Sequence, residues 1–187
     1  MITRSTSEED LELAVDFLSD TPTHAGRDRA QLLRWAQAAD RFGAALPAQP
    51  SRADVVERDG GLERRLLARY LTRPTPTIEL FTDTLALAER LIDDNGWRHW
   101  YPDGSVRAAA LLHESVHHQL HHADTRAQLR HALDHTALRI GRLRIRGHVA
   151  GAEEIAAHAH ARTVCGLGRS PLHLTAALAE QLDERKK

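Results

Sequence analysis

The chain of 187 residues is poor in several residue types, and each scarcity excludes something. A single cysteine, Cys165, leaves no partner for an intrachain disulfide and no cysteine-rich zinc site. Aromatic residues make up 4% of the chain, while Ala, Leu and Arg are abundant, a balance that favours helices over a β-sandwich. Neither sign of charge dominates. The formal net charge of -1 provides no global basic field for nucleic acid. No apolar run approaches the length of a membrane span, and Met1-Ile2-Thr3-Arg4 does not open a secretory signal. These absences point to a cytoplasmic protein that works without membrane or nucleic acid.

Hydrophobic residues reach 42%, enough for a core in a chain of this length. Histidine is in excess: there are 13, most of them crowded between His113 and His160. With cysteine nearly absent, any transition metal must be held by imidazoles and carboxylates.

Breaks and periodicity divide the chain into an N-terminal helical region, residues 1-73, and a metal-binding unit, residues 74-187, with one compact domain overall as the alternative. In the first region, Ser7-Glu8-Glu9-Asp10 precedes an apolar stripe from Leu11 to Leu18, as at a capped helix start. A second helix is expected over Arg27–Phe42, then a loop at Pro47, Pro50 and Ser51. Gly60-Gly61 precedes a short helix expected over Leu62–Leu71.

In the second region Thr77–Phe81 alternates like a strand, and Asp83 is placed to cap a helix reaching about Asp93. Asn95–Gly104 reads as a hairpin or an ordered loop. Helices are expected over Ser105–His122, Asp124–Leu143 and Ala152–Val164, and a last one begins at Ser170-Pro171. The expected fold is therefore mostly helical α+β, with one small β element.

His113-Glu114-Ser115-Val116-His117 carries the chemistry. Two histidines four apart on a helix share a face, where one cation can bridge them. Glu114 between them can serve as general base toward water at the metal. A catalytic zinc needs a third protein ligand and an open position. Glu154 is the best donor, with Glu153 as its possible substitute. Glu154, Ala157, His158 and Ala161 share a helical face whose alanines permit close approach to the first helix.

Leu111–His117 together with Glu154-Ile155-Ala156-Ala157-His158-Ala159-His160-Ala161 resembles the ImmA/IrrE-type zinc metallopeptidases over roughly residues 77-171. In that family a later helix carries a pattern like E-x-x-A-N-x-F-A, whose glutamate completes the zinc site. Here His158 stands where Asn is usual, His160 where Phe is usual, and Val116 where Gly is common. The resemblance implies a zincin-like core, one zinc ion held by His113, His117 and Glu154, Glu114 as the catalytic base, and a peptide or protein substrate.

Other residues carry smaller expectations. His118, His121 and His122 continue the motif helix and read as solvent-facing or as supports behind the metal ligands. His158 would orient Glu154 or contact substrate, or simply pack as a core histidine. Tyr101 and His148 are the candidate donors to an oxyanion, although a loop role suits both. Two rival readings stand beside the hydrolase. One is a helical di-metal, ferritin-like protein, drawn from Glu114-x-x-x-His118 and Glu154-x-x-x-His158. The other is a non-catalytic metal-binding protein on the same scaffold.

Overall fold

The computed structural model describes residues 7–49 and 51–185. Met1–Arg4 and Pro50, on which two of the expectations above fall, lie outside these residues. The chain is mostly helical, α+β, with eight helices and two small β units among the described residues.

Helix α1 (Glu8–Ser19) starts where Ser7 predicts, the Ser7 hydroxyl accepting from the Asp10 amide. Helix α2 (Arg29–Ala45) begins two residues later than expected, at the Asp28 cap, and runs three residues further. Strand β1 (Asp54–Arg58) follows. The helix expected over Leu62–Leu71 is only one turn, α3 (Gly61–Arg64), after which the chain extends into β2 (Ala68–Leu71). Arg65 ends α3 in the left-handed conformation at φ 57°, which turns the chain out of the helix.

Strand β3 (Thr77–Phe81) lies where its alternation predicts. It is the middle of a sheet ordered β1-β3-β2, parallel to β1 and antiparallel to β2. Ile78 and Leu80 are fully buried. Between them Glu79 is also buried and is bridged by Arg58 at 2.9 Å and Arg69 at 2.5 Å, so both outer strands neutralise its charge.

Helix α4 (Thr82–Asp94) opens at Phe81 rather than at a capping side chain. Asp83 instead accepts from the amides of Gly60, Gly61, Leu62 and Thr84, tying α4 to the turn that starts α3. Burial pushes its carboxyl up, but the four amides outweigh that and hold it below the usual range. Asn95–Gly104 is an ordered loop with one short 3-10 turn at Trp97–His99.

The second half departs from expectation once. Helix α5 (Ser105–Leu120) is as expected, but the helix predicted to reach Leu143 stops as α6 (Ala123–Leu133). Residues 136–146 form a hairpin, β4 (Thr136–Ile140) and β5 (Leu143–Arg146), joined by Gly141 at φ 58° and Arg142. The helical stripe expected from Leu129, Leu133, Ala137 and Ile140 therefore ends at Leu133, and Ala137 and Ile140 are exposed. Helix α7 (Ala152–Cys165) and helix α8 (Pro171–Glu184), capped by Ser170, close the chain.

Helix α7 is central. It packs against α2 on one side and α5 on the other, and every residue from Ile155 to Arg162 is buried. The α2 contact is made possible by small residues. A Cβ added at Gly43 would meet the Ala156 carbonyl oxygen at 2.0 Å. One core cluster joins α1 and α2 to Val116 and Leu120 of α5 and to Ile155 and Ala157 of α7. A buried polar network adds to this. Asp10 accepts from the Ser170 amide at 3.0 Å and the Arg169 guanidinium at 2.8 Å, and Arg162 pairs with Asp40 at 3.2 Å. Helix α5 is thus held between α7 and strands β2 and β3, an arrangement that fixes the residues of its C-terminal half.

Candidate metal centre

His113 and His117 stand one turn apart on α5, and their Nε2 atoms approach to 3.0 Å. Glu154 enters from the first turn of α7, where the helix dipole favours a carboxylate. Its two oxygens lie 3.2 Å from His113 Nε2 and 3.0 Å from His117 Nε2. Among the described residues, these three are the group of His, Cys, Asp or Glu side chains placed to hold a metal ion.

The separations fit a metal. A tetrahedral zinc with bonds of about 2.0–2.1 Å places its donor atoms roughly 3.3 Å apart. Two imidazole nitrogens aimed at each other at 3.0 Å can share at most one proton. A cation between them uses both lone pairs and the carboxylate at once. The carboxylate already organises the site electrostatically. Burial pushes the Glu154 carboxyl up, but its bonds to His113 and His117 dominate and hold it well below the usual range. Burial pulls the His117 imidazolium down, and Glu154, Glu114 and Glu153 together overcome it and raise that group.

Glu114 lies outside the ligand group but lines the same cavity as His113, Glu154 and His158. That suits a residue that works on water or substrate rather than on the metal. His113 and His117 thus share one face of α5, with Glu114 beside it.

The departures from the resembled pattern have physical reasons. Val116 is fully buried in the core cluster with α1 and α2, so its position faces away from the donors. His160 is 1% exposed, and its Nδ1 donates to the Gly43 carbonyl at 3.3 Å across the α2–α7 contact. It is a structural residue. His158 packs its ring at 4.5 Å from that of His113, tilted by 50°, and lines the cavity. It contacts His113 rather than showing a bond to Glu154, and its Nδ1 is buried without a hydrogen-bond partner. Burial, followed by the nearby His113, holds its imidazole far below the ordinary histidine range, so it is neutral.

Other candidates do not converge on the metal group. The Tyr101 hydroxyl donates to the Ser170 carbonyl at 2.8 Å and is buried, which commits it to the fold. His148 is exposed between β5 and α7. His118 stacks on Tyr70 of β2 at 4.8 Å and meets His122 edge-on. Glu153 is not among the three donors. Cys165 is half-buried at the end of α7, and burial raises its thiol, the opposite of an activated nucleophile.

The cavity itself was not legible in the sequence. It measures about 260 Å³ and is walled mainly by apolar side chains of α5 and α8 around the donor group. Its trace in the sequence is the pair of small residues Ala109 and Ala110 one turn before His113.

No protein-family model, curated protein or solved structure matches this chain.

Proposed function

We propose that the protein is a zinc-dependent hydrolase acting on a peptide or related amide bond, as its resemblance to the ImmA/IrrE-type metallopeptidases implies. The observation that carries the reading is the convergence of His113, His117 and Glu154 within donor distance, with Glu114 beside them but outside the ligand group. Two imidazoles, one carboxylate and an open side are the donor set of a catalytic rather than a structural zinc. When bound, the metal supplies Lewis acidity to the scissile carbonyl. Glu114 accepts a proton from the attacking water and returns it to the leaving amine.

The sheet supports a peptide as substrate. Strand β2 is an edge strand, and its Ala68 lines the cavity that reaches His113 and Glu114. An extended peptide can add to such an edge through main-chain hydrogen bonds. The di-metal reading requires further donors, whereas His118 is stacked on Tyr70.

The test is elemental analysis of protein purified without added metal and without a metal-affinity column, wild type beside Glu114→Gln. About one zinc per chain in both, with peptide hydrolysis in the wild type alone, is the expected result. Absence of metal after zinc is supplied rejects the reading. Release of the metal by Glu114→Gln makes Glu114 a ligand and moves the reading to a di-metal site.

A further inference from the structure

The interior of the cavity has a composition of its own. On α5, Val106, Ala109 and Ala110 precede His113 by seven, four and three residues, so one helical face runs from an apolar wall to the metal ligand. Helix α8 lines the same cavity with Leu174, Leu178 and Leu182, spaced by four. These leucines and alanines are buried, from 2% to 7% exposed.

Space remains because the α5 wall carries alanines. Protein interiors leave few voids larger than a water molecule. An apolar void of about 150 Å³ stays dry and takes up benzene. At about 260 Å³ this cavity exceeds what a phenyl ring requires. The charged residues of its wall are Glu114 and Glu154, at the end that meets the donor group, and Arg65, which is paired with Asp183. A void of this size beside the donor group, lined by aliphatic side chains, selects hydrocarbon over polar groups.

We infer that the site takes substrates with a bulky apolar side chain, of leucine size or larger, next to the scissile amide, seated between α5 and α8. This rests on the hydrolase reading for the word substrate, while the binding preference itself is a property of the cavity.

The test separates the two. Zinc-loaded full-length protein is titrated calorimetrically with straight-chain alkyl hydroxamates from acetyl to octanoyl. The shared hydroxamate keeps the metal contact constant along the series. Each methylene that enters the cavity should tighten binding about fourfold until the space is filled. Ala109→Phe on α5 and Ala179→Leu at the α8 residue that also lines the cavity fill the space from different helices, and each should remove most of that gain while zinc content stays at the wild-type level. A flat series in the wild type, or a full gain in both variants, overturns the inference.

A second arm needs no metal. Benzene added to metal-free, methyl-labelled protein should perturb the Leu174 and Leu178 methyl resonances in the wild type and not in Ala109→Phe. No perturbation in the wild type overturns the inference. Failure to hydrolyse any peptide, with the chain-length dependence intact, rejects the hydrolase reading and leaves the cavity's preference standing.

Discussion

Gly43 of α2 and Ala156 of α7 are in such close backbone contact that a Cβ on Gly43 would sit 2.0 Å from the Ala156 carbonyl oxygen. Ala156 is two residues from Glu154, so the depth to which α7 settles against α2 also fixes the third member of the candidate metal group. Gly43→Ala should therefore destabilise the protein by about 2–3 kcal/mol, the scale of an overpacked core. Zinc affinity should fall as well, by about tenfold or more, as Glu154 is displaced. Urea unfolding and competition with a chromophoric chelator read the two effects. A variant that is neutral in both would show that the helices do not rely on this contact.

The donor group makes its own prediction. Loss of a residue that merely supports a metal ligand costs about 10–100-fold in affinity, and loss of a ligand should cost more. Zinc affinity should drop by about 100-fold or more in His113→Ala, His117→Ala and Glu154→Ala. Glu114→Gln, which removes no donor from the group, should stay within about threefold of wild type. Chelator competition measures all four. Equal losses in Glu114→Gln and Glu154→Ala would sink this division of roles.

Local signals explain what the sequence made legible. The His113, His117 and Glu154 group was readable because helical spacing aligns the first two, and the alanines of α7 announce close packing. The hairpin at 136–146 was misread for a physical reason. Leu129, Leu133, Ala137 and Ile140 fit a helical stripe, while Leu138-Arg139-Ile140 and Leu143-Arg144-Ile145 also fit strict alternation around Gly141. The second pattern won because Asp134 and Gly141 leave the helical region, at φ 42° and 58°. Strand β1 had no local signal, since all five of its residues are exposed and its parallel partner lies about twenty residues on. Long-range consequences such as the cavity and the Asp10 network appear only once the helices are packed.

That network predicts a large effect from a residue far from the metal in sequence. Asp10 is buried and accepts from Ser170 and Arg169, the residues that lead into α8, with Arg162 at 3.9 Å. Removing one partner of a buried, hydrogen-bonded charge group leaves the others uncompensated. Asp10→Ala should cost about 3 kcal/mol, and Asp10→Asn, which keeps one acceptor, about half as much. The urea midpoint is the measurement. A loss under about 0.5 kcal/mol in Asp10→Ala would mean the α1 contact is dispensable.

The histidines set how stability follows pH in the metal-free protein. His118, His135, His158, His160 and His173 are all held below the ordinary histidine value, with burial the leading cause in each. The unfolded chain takes up protons as pH falls through about 6.5, while the folded chain refuses them, so acidification favours unfolding. His117 works the other way. Its raised value contributes stability that is present below about 6.5 and is lost as pH rises through the folded value. Five groups oppose one, so stability should fall from pH 7 to pH 5. One net proton withheld costs about 1.4 kcal/mol per pH unit, or roughly 2 kcal/mol over that range. His160 supplies part of this slope, because its ring is buried at the α2–α7 contact and its Nε2 has no partner. His160→Phe should flatten the profile between pH 5 and 7, and at pH 5 its disadvantage relative to wild type should be smaller than at pH 7. Urea titrations at half-unit pH intervals in excess chelator measure both curves. A wild-type profile that is flat or rises toward pH 5 would mean that the folded chain accepts these protons and that the buried histidines are not kept neutral by their surroundings.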